Sequence, residues 1–238
     1  MRPVRRLVLL AAAAALAACG GGGGNSGQNP FVPPTDDYNA LAAWENLLTR
    51  PAGWITQGTA SDGLAYELRL SVAPVGNASF PLTGTAANRA DFGSSLRRGG
   101  AILAGGVTEL YYTDALLVLG ARSSTSVPVV AEACDQATAA ALPPAAAKVG
   151  ASGPLYTTTE LSGCLAGAGV IGSTEARWAI EFHAGIVYFC IDATSTDLLT
   201  PPNVATEKDC VEISTGGTIG PRARISLTLP GFSITAIN

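Results

Sequence analysis

One histidine, His183, stands among 238 residues, and that count bounds the chemistry available. Multi-histidine metal centres are excluded, and a single imidazole is left for acid–base work. His183 lies in His183-Ala184-Gly185 between two apolar alternating runs, where a solvated turn residue is the expectation. A serine nucleophile needs a base and an orienting group, and the G-x-S-x-G elbow does not occur. Paired carboxylates can hydrolyse glycosides without histidine, which makes Glu175/Glu181 and Asp192/Asp197 the acidic pairs to test. No calcium-loop spacing, no phosphate-loop Lys-Ser/Thr and no Cys-x-x-Cys is present, so neither a metal nor a cofactor is expected.

The remaining reactive residues are five cysteines: Cys19, Cys134, Cys164, Cys190 and Cys210. The last four form an even set that fits two disulfides in an oxidising compartment, with three connectivities open. Cys134 with Cys164 and Cys190 with Cys210 is favoured, because each pair closes one local excursion rich in Pro, Gly, Ala or Thr. In the chain-entropy model each such loop stabilises by ~3 to 4 kcal/mol.

Cys19 has a different setting. Arg2, Arg5 and Arg6 precede an apolar stretch from Leu7 to Ala18, the composition of a secretory signal that is too short for a spanning helix. The stretch closes on Leu16-Ala17-Ala18-Cys19 and is followed by five glycines. This segment resembles the lipobox of bacterial lipoproteins. The resemblance covers about the first 20 residues and implies cleavage after residue 18, a diacylglycerol on the Cys19 thiol and an acylated new N-terminus. With Gly20 rather than aspartate after the cysteine, it also implies delivery to the outer membrane of a Gram-negative envelope. Several acyl chains exceed the single chain that binds membranes only marginally.

The elements that would position any site follow from periodicity. Residues 1–18 read as the signal, 19–37 as a lipid-anchored flexible linker rich in Gly and Pro, and 38–238 as a β-rich domain. Asp36-Asp37 offer an N-cap for a short helix carrying Leu41, Trp44, Leu47 and Leu48 before Pro51 and Gly53. From Trp54 the period changes to 2. Leu64, Tyr66, Leu68, Leu70 and Val72 alternate with polar residues, and Ser61-Asp62-Gly63 reads as the preceding hairpin turn. Further strands are expected at 108–113, 115–121 and 126–131, and on either side of His183 to Gly185 and of Pro230-Gly231. Gly99-Gly100 and Gly105-Gly106 read as turns. The alanine-rich 132–150 is expected to hold a short helix near 133–141 and is the best candidate for a subdomain boundary or long crossover. A tryptophan strand, turn and tyrosine strand at Trp54 to Tyr66 is faintly echoed at Trp178 to Tyr188.

Many short strands with frequent turns, and no strand–helix alternation, predict an antiparallel β-sandwich or barrel-like domain with one short N-terminal helix. Hydrophobic residues make up 47% and charged residues 13%, which excludes a disordered chain beyond the linker. Three of the 14 basic residues lie in the signal and none of the 18 acidic ones does, so the remainder is more acidic than the whole chain at −4. That balance argues against nucleic acid as a partner. The expected activity is binding rather than catalysis. It calls for a lipid-tethered envelope module that takes another protein, peptidoglycan or a saccharide, the last on an exposed platform of Trp54, Tyr111, Tyr112 or Trp178. The other classes are a two-carboxylate hydrolase and a structural or assembly lipoprotein.

Overall fold

The computed structural model describes residues 31–127, 129–198 and 203–238. The signal, Cys19 and the first part of the linker lie outside these residues. Residues 31–37 form no regular element, and Phe31 lies against the turn at Gly185.

Helix α1 spans Ala40–Thr49 and is followed by twelve strands: β1 (Ala52–Thr59), β2 (Ala65–Ser79), β3 (Ala86–Arg98), β4 (Ala101–Tyr112), β5 (Val118–Val127), β6 (Val129–Ala140), β7 (Ser152–Leu161), β8 (Val170–His183), β9 (Ile186–Asp197), β10 (Asn203–Ile213), β11 (Ile219–Leu229) and β12 (Phe232–Ile237). Each strand pairs antiparallel with its neighbours in sequence, and β1 pairs with β12, so the sheet closes into a barrel with no free edge. The expected alternation at β2 holds through the wall: Tyr66, Leu68, Leu70 and Val72 are buried toward the interior.

The helix forms where expected but is capped differently. Asn39, not Asp36-Asp37, accepts the Ala42 amide on its Oδ1 at 2.9 Å. Ala40, Ala43, Trp44, Leu47 and Leu48 form its buried face, and the chain turns extended at Arg50 before Pro51. Three loops at one end of the barrel hold this helix. Leu41 N donates to Pro144 O at 3.0 Å, Trp44 Nε1 to Leu116 O at 3.1 Å, and Asn46 Nδ2 to Gly217 O at 2.9 Å. Gly217, at φ +80°, is required here because a Cβ would come within 2.6 Å of Asn39 O. Strand direction puts the turns at 60–64, 99–100, 162–169 and 230–231 at the opposite end, so α1 closes one mouth of the barrel only.

Several expectations are corrected. The segment 133–141 lies mostly in β6, not in a helix. Pairing with both β5 and β7 overrides the helix propensity of alanine, so 132–150 belongs in part to the barrel wall. Gly105 and Gly106 sit inside β4, where a Cβ on Gly106 would overlap the Ser124 carbonyl of the neighbouring strand. Residues 126–131 straddle the β5–β6 connection rather than forming one strand, and 86–98, unmarked in the sequence reading, is β3. The Trp–Tyr echo is present as strand, turn and strand at β1–β2 and β8–β9, but the two tyrosines face opposite ways. Tyr66 faces the interior, whereas Tyr188, next to the inward Phe189, faces out beside Cys190 and Cys210.

The outer wall carries ion pairs. Arg69 and Arg97 reach Glu67 at 2.6 and 3.7 Å, and Arg122 reaches Glu109 at 2.6 Å. Lys208 bridges Glu181 and Asp192 at 3.0 and 3.1 Å, and Arg224 meets Glu181 at 3.2 Å. These pairs occupy outward positions along the strands, where a membrane-spanning barrel carries its apolar band. The outer wall thus mixes these ion pairs with exposed apolar residues such as Ile55 and Val107, and the apolar core lies inside. No described helix is long and apolar enough to cross a membrane.

Both favoured disulfides are present. Cys134–Cys164 ties β6 to the loop after β7, and Cys190–Cys210 joins directly opposed residues of β9 and β10 on the outer face. Such bonds belong to an oxidising, extracytoplasmic setting.

Candidate functional site

The interior is not completely filled. A cavity of about 290 Å³ occupies the lumen, and a second space of about 160 Å³ extends it toward Trp44 and Leu47 of α1. A twelve-strand wall encloses more width than its inward side chains fill, unlike smaller barrels whose side chains meet across the axis.

The lumen has two unlike sides. On β2, β3, β4 and β11 it is lined mainly by Leu68, Leu70, Leu96, Leu110, Ile225 and Leu227, with Ser94 and Thr108 among them and Arg69 at its margin. On β5 to β10 it is lined by Ser123, Thr125, Asp135, Tyr156, Thr158, Thr174, Ser195, Glu207 and Asp209. The division follows from alternation: on β10, Ala205, Glu207, Asp209, Val211 and Ile213 share the inner face, while Lys208 and Cys210 face out.

Asp209 is the most perturbed group there. It lies deep in the molecule, borders the lumen with part of its surface, and has an occluded Oδ1 with no hydrogen-bond partner. Burial, reinforced by the neighbouring Glu207 charge, pushes its carboxyl well above the ordinary range. Thr158, 3% exposed, also carries an unpartnered Oγ1 on this wall. Asp135 and Glu160 are cross-strand neighbours on the same inner face, and both are buried.

The residues singled out by sequence lie elsewhere. His183 is exposed at the end of β8. Glu175 is exposed and pairs with Arg177 at 3.5 Å, while Glu181 and Asp192 are held by Lys208 on the outer wall. Neither expected acidic pair faces the cavity as a pair; the lumen brings Glu207 and Asp209 together instead. The alternation of β10 is the signal that could have found them, since both share a face with Val211 and Ile213. The aromatic platform is also corrected. Trp54, Tyr111, Tyr112 and Trp178 are all buried, at 3, 3, 4 and 6% exposure, so no sugar can stack on them.

Among the described residues, the one grouping able to offer three ligands to a metal is Glu181 with Cys190 and Cys210, and its two sulfurs are consumed in a disulfide. The rim of the open end carries exposed apolar side chains, among them Leu64, Ile102, Leu165 and Leu198. No family model, curated protein or solved structure matches this chain.

Proposed function

We propose that this protein is a lipid-anchored envelope module that binds a small ligand inside its barrel. The observation that carries the reading is the lumen: a cavity with one mainly apolar and one polar wall, closed by α1 at one end, in a barrel whose outer wall carries ion pairs. Pockets that mix apolar lining with a few convergent polar groups are the usual form of a small-molecule site. The lipobox-like Leu16-Ala17-Ala18-Cys19 supports attachment to the membrane, with outer-membrane delivery suggested by Gly20. Phe31 lies at the α1 end, so a linker from Cys19 would reach the barrel at its closed pole.

Native mass spectrometry of the full-length protein extracted from membranes tests this. A small-molecule adduct at one per chain is expected on the wild type and absent from Ala193→Trp and Ser195→Phe, both of which fill the lumen. An adduct retained by both variants, or none on the wild type, contradicts the reading.

A second reading, a hydrolase using two carboxylates, is favoured by one observation. The Asp209 carboxyl, pushed well above the ordinary range by burial and by the Glu207 charge, has the character of a general acid. Turnover of aryl glycosides that disappears in Asp209→Asn would support it, and turnover indifferent to that change would remove it.

A further inference from the structure

Resting on the reading of the lumen as a ligand site, we infer that its occupant is an organic ammonium ion. This is a primary amine with a compact aliphatic or alicyclic body, its nitrogen on Asp209 and its body against Leu70, Leu110 and Ile225.

Charge segregation argues for a cation. The strand cations of the outer wall are engaged in ion pairs there, whereas Asp135, Glu160, Glu207 and Asp209 are carried on inward positions. A ligand entering the lumen therefore meets carboxyls on the polar side and leucines on the other. Among the described residues the polar wall carries no cation, and Arg69, which also borders the cavity, is paired with Glu67.

The unfilled hydrogen-bonding capacity argues for a donor. Asp209 Oδ1 accepts nothing, although the atom is occluded and its residue borders the lumen. Buried polar atoms are ordinarily satisfied, and an orphan in a lumen calls for a group from outside. An ammonium brings three donors on one atom and makes charge-assisted bonds to carboxylate.

The geometry argues against a metal. Calcium takes six to eight oxygen ligands, and the lumen offers no grouping of three carboxylates among the described residues. The leucine wall would be wasted on a bare ion. A compact organic body uses it, because burying its apolar surface there favours binding.

Binding is coupled to a proton. The amine arrives already protonated, and the Asp209 carboxyl gives its own proton to solvent as the carboxylate–ammonium pair forms. The complex thus gains the ligand's positive charge and loses one proton. The raised Asp209 carboxyl is what extends this release above the ordinary carboxylate range.

Calorimetry of the full-length protein in lipid nanodiscs, corrected against empty nanodiscs, tests the inference with cyclohexylammonium chloride and cyclohexanol. The amine is expected to bind about tenfold or more tighter than the alcohol. Titration in two buffers of different ionisation enthalpy should report net proton release with the amine and none with the alcohol. Asp209→Asn should bring the amine down to the alcohol's affinity without changing the alcohol, and Asp209→Glu should restore part of the preference. Equal binding of alcohol and amine, or a preference that survives in Asp209→Asn, overturns the amine assignment and leaves the lumen reading standing. Binding of both ligands that persists in Ala193→Trp overturns the lumen reading itself. No binding of either ligand to the wild type also overturns the amine assignment.

Discussion

Glu109 on the outer wall and Asp209 on the inner wall are both carboxylic acids in the middle of β-strands, and the barrel drives them in opposite directions. Burial acts to raise Glu109, but hydrogen bonds from Arg122 and Tyr111 and the charges of Arg122 and Arg89 outweigh it and hold the group below its ordinary value. Burial also raises Asp209, and there the nearest charge is Glu207, which adds to the effect. Residue type and strand position are nearly the same; the partner differs. The outer wall carries completed ion pairs, and the wall that faces the lumen keeps capacity in reserve.

The consequences for stability have opposite signs. A carboxyl held below its ordinary value stabilises the fold above that value, and the contribution is lost as pH falls through the folded pKa. Glu109 belongs to this class. A carboxyl held above its ordinary value makes the folded state bind the extra proton, so stability declines as pH rises from the ordinary carboxylate range to the folded pKa. Asp209 belongs to that class.

The largest effect should come from opening the closed end. Trp44→Ala removes a nearly fully buried ring that packs beneath the lumen and is expected to cost about 3 to 5 kcal/mol in denaturant unfolding. It should also bring water to Asp209 and move that carboxyl back toward its ordinary value while leaving Glu109 unchanged. Equal movement of both groups would break the comparison.

Next in size is Glu109→Gln, which leaves Arg89 and Arg122 facing each other without their shared carboxylate. The sites are partly exposed, so a loss of about 1 to 2 kcal/mol is expected at neutral pH, less than for a fully buried pair. The gap from wild type should narrow as pH falls below the ordinary carboxylate range, read from urea midpoints.

Asp209→Asn should do the reverse and raise neutral-pH stability by about 1 kcal/mol, because an amide removes the burial of an ionisable group. The gain should vanish in acid, where the wild-type carboxyl is protonated in both states. A loss of stability at pH 7 would mean that Asp209 is a satisfied structural acid.

The smallest contrast is between two threonines. Thr56 donates to Leu68 O at 3.1 Å, and Thr56→Val should cost about 1 kcal/mol. Thr158→Val removes a hydroxyl with no partner and should change stability by no more than about 0.5 kcal/mol. Thermal melts in parallel distinguish them.

Much of the frame is legible in the sequence. Alternation around Leu64 to Val72, the turns at Asp62-Gly63, Ala184-Gly185 and Pro230-Gly231, the amphipathic α1 and both disulfide pairings are local signals that tertiary structure keeps. What is hidden depends on neighbours in space. Alanine-rich β6 is a strand because β5 and β7 flank it, and Gly106 is a strand residue because Ser124 lies too close for a side chain. Asp209 reads as one more charge in Glu207-Lys208-Asp209. Only closure of the barrel makes its face the inside.

Carbon-detected NMR titration of the Asp209 carboxyl, with and without cyclohexylammonium, tests the central claim directly. The account predicts a midpoint above the ordinary carboxylate range in the free protein and a shift to lower pH when the amine is present, with Glu109 unmoved. An Asp209 midpoint in the ordinary range, or one indifferent to the amine, would contradict it.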